Sequence, residues 1–91
     1  MDGEFIQISN DEIGSNDRFD TNTTAGFTVS DKNGDFFDCC YTEKHKFGDL
    51  LLNLRPGDQI RIVGQAMRLL RPGTDATFDI WLHVDSIQVI K

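Results

Sequence analysis

The stretch from residue 54 to residue 90 constrains the fold more than any other part of the sequence. Apolar and polar side chains alternate over residues 59–63 and again over residues 78–85. This period of two is typical of a strand with one buried face. A Pro-Gly-Thr-Asp run at residues 72–75 predicts a hairpin loop between two long strands. In the second strand the pattern turns one set of side chains inward (Phe78, Ile80, Leu82 and Val84) and the other outward (Asp79, Trp81, His83 and Asp85).

A glycine interrupts the first of these two strands. Gly64 follows Val63 directly and is followed by Gln65 and the small residue Ala66. A glycine inside a strand marks a bulge or a sharp bend, as is needed where a small barrel closes. The pattern does not assign a face to residues 65–71.

The N-terminal third predicts two shorter strands around a polar loop. Residues 4–9 and residues 25–30 have strand character, and residues 14–24 are polar, turn-rich and aperiodic. Asp31-Lys32-Asn33-Gly34 then predicts a turn with two possible registers. An Asn-Gly turn of two residues would bury Asp38 beside Phe27 and Val29. A loop of three residues, with Gly34 left-handed, leaves Asp38 outside, and burial of an unpaired carboxylate costs several kcal/mol.

The three-residue loop is therefore the favoured register. It predicts that Cys39 fills the core together with Phe37 and Tyr41, that Cys40 is partly exposed, and that Phe36 points outward. After this strand, Phe47, Leu50, Leu51 and Leu54 recur at helical spacing and predict a short helix over residues 43–54. Such a short helix needs a sheet to pack on.

Composition places the chain among ordinary globular proteins. Its 91 residues predict a single domain over 1–91, and 9 basic against 15 acidic residues give a net charge of −6. No apolar run approaches the roughly 20 residues that span a bilayer. The N-terminus lacks the basic and apolar regions of a signal peptide. Cys39 and Cys40 are adjacent, so a bridge between them would be strained, and free thiols favour a reducing, cytoplasmic location.

The order of elements resembles a known fold family. Phe27-Thr28-Val29-Ser30-Asp31-Lys32-Asn33-Gly34 looks like the second strand and turn of the OB-fold (oligonucleotide/oligosaccharide-binding fold). Residues 54–64, with Pro56-Gly57-Asp58 and Gly64, look like the start of its fourth strand, and residues 82–87 look like its closing strand. The resemblance implies an all-β, five-stranded Greek-key barrel with one short helix between strands 3 and 4, as in small single-stranded nucleic-acid-binding proteins.

Two aromatic residues and three arginines are the candidate nucleic-acid-binding residues. Phe36 and Trp81 fall on the outward face by alternation, where a base can stack on each ring. Arg61, Arg68 and Arg71 lie in an arginine-rich segment and could neutralise phosphates. The alternatives are that the rings pack beneath the loop of residues 14–24 or the helix, and that the arginines pair with nearby acids.

The functional expectation is a module that binds single-stranded DNA or RNA, weakly alone or within a complex. The alternative is an OB-fold protein–protein interaction module without nucleic-acid binding, with a protein partner or a homo-oligomer. The net negative charge favours this alternative, because an acidic chain repels phosphate. The linear order contains no nucleophile with an adjacent base and no metal-ligand spacing, so we expect no enzymatic activity, no cofactor, no metal and no membrane partner.

Overall fold

The computed structural model describes residues 1–9, 19–70 and 78–90 and contains a closed five-stranded barrel. Around the barrel the strands run in the order β1-β2-β3-β5-β4, and a short helix, α1, joins β3 to β4. This confirms the predicted all-β architecture, including the position of its helix. No helix in the described ranges is long and apolar enough to cross a bilayer. The element bounds are β1 Asp2–Ile8, β2 Thr24–Ser30, β3 Phe36–Glu43, α1 Lys44–Asn53, β4 Gln59–Leu70 and β5 Phe78–Val89.

Strand β1 closes the barrel because it pairs with two neighbours. Its first residues pair with β4, from Asp2 opposite Arg61 to Glu4 opposite Gln59, and its later residues pair with β2. Gly3 lies where the two pairings meet, and a Cβ there would be 2.7 Å from the carbonyl oxygen of Ser30. The absence of a side chain at Gly3 thus lets β1 approach β2 while it still pairs with β4. The predicted strand over residues 4–9 did not include Asp2 and Gly3, which pair with β4.

The turn between β2 and β3 has the favoured three-residue form. Gly34 adopts φ 85°, and its N–H donates to the carbonyl of Asp31 at 3.0 Å. The Asp31 carboxylate also accepts from the backbone N–H groups of Asn33 (2.9 Å) and Asp35 (3.0 Å). Asp38 is exposed, as this register requires. The aspartate side chain therefore fixes the turn through local hydrogen bonds.

A bulge in β3 overturns part of the predicted core. Val29 pairs with Phe37, but Phe27 pairs with Cys40, so β3 carries one extra residue between these pairs. An extra residue inverts the alternation of every side chain beyond it. Cys40 is therefore fully buried and Cys39 is only half-buried, the reverse of the prediction. Thr42 likewise takes the inward position expected for Tyr41, and its hydroxyl donates to the carbonyl of Val84 at 2.9 Å.

Helix α1 packs on β2 and β3 and covers part of the barrel core. Leu51 is buried, and three further apolar side chains of this segment pack on the core while partly exposed, namely Phe47, Leu50 and Leu54. The predicted helix over residues 43–54 is confirmed to within one residue at each end. The buried core that it covers consists of Phe5, Ala25, Phe27, Val29, Cys40, Leu51, Ile60, Ile62, Val84 and Ile87.

The long β4–β5 hairpin carries the bulge that Gly64 predicts. Val63 pairs with Ser86 and Gly64 with Val84, so β5 has one extra residue at this point. A Cβ on Gly64 would lie 2.2 Å from the carbonyl oxygen of His83, so only glycine permits this approach of the two backbones. The predicted hairpin loop at residues 72–75 and residues 14–18 of the predicted loop at residues 14–24 lie outside the described residues.

Candidate functional site

The barrel is closed between β3 and β5 by only two residue pairs. These two strands are parallel and pair at Cys40–Leu82 and at Tyr41–His83. Both strands begin earlier, at Phe36 and at Phe78. In the described ranges their first pair along the chain is Cys40 with Leu82. A groove of about 540 Å³ occupies this gap, which we call the seam groove. The described residues that line it are Met1, Phe36, Phe37, Asp38, Cys39, Cys40, Ile62, Val63, Gly64, Ala66, Ile80, Trp81 and Leu82.

The rim of the seam groove is made of exposed apolar side chains. Phe36 is 69% exposed on β3, and Ile80 is 59% exposed on β5 across the gap. Phe37 and Val63 are also exposed. Among the described residues that line the groove, Asp38 has the only formally charged side chain at neutral pH. We therefore take this cluster of exposed apolar side chains as the candidate interaction site.

Of the two aromatic residues predicted to point outward, Phe36 is exposed and Trp81 is covered. Trp81 lies outside the barrel core, as alternation indicates, yet only 5% of its surface is accessible. The ring of Phe19 lies 4.9 Å from it and the ring of Tyr41 lies 6.2 Å from it. Phe19 lies in the predicted 14–24 loop, so its contact supports the alternative that the Trp81 ring packs beneath that loop. Trp81 still lines the seam groove, but its ring is not an exposed stacking surface.

The candidate arginines do not form a basic groove with Phe36. Arg61 forms a bidentate salt bridge with Asp2. Its Nε donates to Oδ1 at 2.7 Å and its Nη2 donates to Oδ2 at 3.2 Å. This hydrogen bond raises the pKa of Arg61 and lowers the pKa of Asp2. Arg68 is exposed on β4 opposite Ile80 and does not line the seam groove, and Arg71 lies outside the described residues. The structure thus brings Phe36 and Trp81 to one groove without Arg61 or Arg68.

A second, more polar pocket lies where the Tyr41 and His83 rings meet, at 5.1 Å between centroids. His83 Nδ1 lies 3.3 Å from a carboxylate oxygen of Asp85. Burial, and then the Asp85 charge, raise the pKa of Tyr41, so its phenol remains protonated near neutral pH. No group of three or more His, Cys, Asp or Glu side chains in the described ranges could hold a metal ion.

Phe37, Val63 and Ile80 are among the residues of the seam groove that sequence reasoning missed. Phe37 and Ile80 follow the inward pattern of their strands, but both precede the point where β3 and β5 pair, so the barrel does not enclose them. The adjacent pair Phe36-Phe37 was an available signal, because neighbouring strand residues point to opposite faces and both rings cannot enter one core.

The fold and the groove together define the class: a closed five-stranded β-barrel, consistent with an OB-like barrel, that has an open apolar seam. Comparison of the chain with protein-family models, with curated proteins and with solved structures finds no match.

Proposed function

We propose that this chain is a non-catalytic OB-fold interaction module that binds a segment of another protein in its seam groove. The observation that carries this proposal is the exposure of Phe36, Ile80 and Val63 around one groove. Covering such a surface removes apolar area from water at about 25 cal/mol per Å², which is the main driving force of protein association. The two free thiols support a reducing compartment, and we place the module in the cytoplasm.

Charge indicates which partner suits the groove. The chain has a net charge of −6, and the exposed carboxylate of Asp38 lies at the groove. A second copy of the chain carries the same net charge of −6, and like charges oppose association. A partner segment with apolar side chains flanked by lysine or arginine complements both the apolar rim and this carboxylate.

The test is a selection from a displayed random-peptide library against the whole chain. We expect enrichment of sequences that combine apolar with basic residues. A synthetic copy of the most enriched peptide should bind at micromolar Kd. Ile80→Ser should weaken it at least about tenfold, because Ile80 is one of the most exposed apolar side chains on the groove rim. Leu52→Ser is the matched control, since Leu52 is a similarly exposed aliphatic residue on α1 and does not line the seam groove.

The proposal is contradicted if no peptide is enriched, or if the selected peptide binds wild type and Ile80→Ser equally well. Both variants replace exposed side chains, so thermal unfolding should show that each retains the fold. A chain that forms a stable dimer through the same groove would replace the partner segment with a second copy.

Binding of single-stranded nucleic acid is the second candidate function. It is favoured by Phe36, an exposed ring on β3 that can stack with a base, and by Arg68, exposed on β4. It is opposed by the burial of Trp81, by the pairing of Arg61 with Asp2 and by the net negative charge. A labelled single-stranded oligonucleotide titrated at low salt tests it. Micromolar binding that Phe36→Ala abolishes would support this function over the first.

A further inference from the structure

We infer that the polar pocket beside the Tyr41 and His83 rings, which we call the Tyr41 pocket, binds the guanidinium group of an arginine in the partner segment. This inference rests on the proposed function, because the arginine belongs to the segment that occupies the seam groove. The two cavities adjoin along β3 and β5. Cys40 and Leu82 line the seam groove, and the next pair, Tyr41 with His83, lines the Tyr41 pocket.

The charge around the Tyr41 pocket favours a cation. The pocket has a volume of about 540 Å³, and among the described residues that line it Glu43 has the only formally charged side chain at neutral pH. A second carboxylate lies beside the pocket, because an oxygen of Asp85 is 3.3 Å from Nδ1 of the lining residue His83. Carboxylates in a chain with a net charge of −6 attract a positive side chain and repel phosphate.

Glu43 already has cationic neighbours, but a ligand can replace them. Its carboxylate lies 3.4 Å from Nε2 of His45 and 3.5 Å from Nζ of Lys46. Both of these side chains are more exposed than that of Glu43, so water screens the two contacts. Exposed ion pairs contribute little to stability. An arginine that pairs with Glu43 and also stacks on a ring therefore competes with both neighbours.

The aromatic rings favour arginine over lysine in this pocket. The Tyr41 ring centroid lies 4.7 Å from that of Phe19 and 5.1 Å from that of His83, and all three residues line the pocket. The rings contact one another, so a ligand lies against the surfaces that they turn to the pocket rather than between them. The flat guanidinium stacks on such a surface, whereas the ammonium of lysine is a compact, strongly hydrated charge.

The hydrogen-bonding groups of the lining match the same ligand. Thr23 is exposed at the pocket, and its hydroxyl donates to the carbonyl of Asp20 at 3.3 Å. A hydroxyl has a single proton, so toward a further partner Thr23 acts as an acceptor, and the Glu43 carboxylate only accepts. The guanidinium has five N–H donors and no acceptor, and it can contact a carboxylate through two donors at once.

The experiment is an amide chemical-shift titration of the whole chain with Nα-acetyl-arginine methylamide and with the matching derivatives of lysine and citrulline. Citrulline has nearly the shape of arginine but no charge. We expect the arginine derivative to perturb the amides of Tyr41, Glu43 and His83 with a Kd in the millimolar range. The lysine derivative should bind at least about threefold more weakly, and the citrulline derivative should not bind. Equal binding of citrulline, or tighter binding of lysine, would overturn the assignment of a guanidinium site.

Variants of the pocket should change the binding of the arginine derivative in a defined way. Glu43→Gln should weaken it about fivefold, whereas Asp49→Asn, which removes an equal charge from an exposed residue of α1 outside the pocket, should change it less than about twofold. The Glu43 side chain makes no capping hydrogen bond to α1, so Glu43→Gln removes no helix cap. Tyr41→Leu should weaken binding about threefold, and Tyr41→Phe should retain it. Equal effects within either pair of variants would overturn the site.

The peptide selected against the whole chain separates this inference from the proposed function. If Ile80→Ser leaves peptide binding unchanged, the partner segment in the seam groove is refuted, whereas the arginine derivative still reports on the Tyr41 pocket alone. If Ile80→Ser weakens the peptide but the arginine derivative does not bind at the pocket, only this inference fails. Replacement of the peptide's arginine with citrulline should weaken the peptide about fivefold and remove the effect of Glu43→Gln. A selected peptide that lacks arginine, or that tolerates this replacement, would overturn the inference.

Discussion

At the residue scale, the two adjacent cysteines differ sharply in environment. Cys40 is fully buried beside Phe27, and burial, followed by the Cys39 and Asp38 charges, raises the pKa of its thiol to about 12. Cys39 is half-buried at the seam groove. Since the thiolate is the reactive form, these neighbours should differ in chemical reactivity.

We predict that an aromatic disulfide reagent titrates one thiol in the folded protein and two in denaturant. Cys39→Ser should abolish the fast reaction, and Cys40→Ser should leave it in place. The folded state keeps the Cys40 proton up to about pH 12, whereas an ordinary thiol has a pKa of 9.0. The contribution of this raised pKa to the free energy of unfolding is therefore complete below pH 9 and is lost as the pH rises from 9 to about 12. Fast reaction of both thiols in the native protein would contradict the assigned bulge.

Gly64 and Gly48 offer a matched pair of substitutions. Gly64→Ala would push a Cβ into the backbone of His83, so we predict a loss of about 1–3 kcal/mol in unfolding free energy. At Gly48, in α1, an added Cβ would meet only the Lys44 side chain at 3.6 Å. Gly48→Ala should therefore gain about 0.5–1 kcal/mol from helix propensity. Urea unfolding measures both, and a stable Gly64→Ala variant would contradict the close approach of the strands at this bulge.

At the element scale, the sequence predicts those features that are determined by residues close together in the chain. The turn after β2 is fixed by Asp31 and Gly34, and α1 by its spaced leucines, so both were predictable. The bulge in β3 follows from closure of the barrel rather than from a local residue. The cover on Trp81 depends on Phe19, which is distant in sequence. The first effect accounts for the wrong faces assigned to the cysteines, and the second explains why the sequence left the exposure of Trp81 open.

The cover on Trp81 gives a prediction for the segment that includes Phe19. Phe19→Ala should shift the emission of the single tryptophan to longer wavelength and increase its quenching by acrylamide, because the indole becomes accessible. Loss of the half-buried ring should also cost about 1–2 kcal/mol of unfolding free energy. Leu52→Ala is the control, since Leu52 is exposed and does not line the pocket beside the Phe19 and Tyr41 rings. Unchanged quenching in Phe19→Ala would mean that other groups shield Trp81.

At the scale of the whole molecule, the closed barrel and the net negative charge argue for different ligands. The fold resembles a family that often binds single strands of nucleic acid, whereas the net charge of −6 and the Asp2–Arg61 pair leave little positive charge to attract phosphate. The exposed apolar side chains around the seam groove are the reason that we propose an apolar partner segment rather than a nucleic acid.

The most direct test is an amide chemical-shift titration of the isotope-labelled chain with the selected peptide, and in parallel with a single-stranded oligonucleotide. We predict that the peptide perturbs the amides at the seam, from Phe36 to Cys39, at Val63 and Gly64, and from Ile80 to Leu82, while the oligonucleotide perturbs few at the same concentration. The account is contradicted if the peptide shifts lie away from the seam groove, or if the oligonucleotide perturbs those amides more strongly than the peptide does.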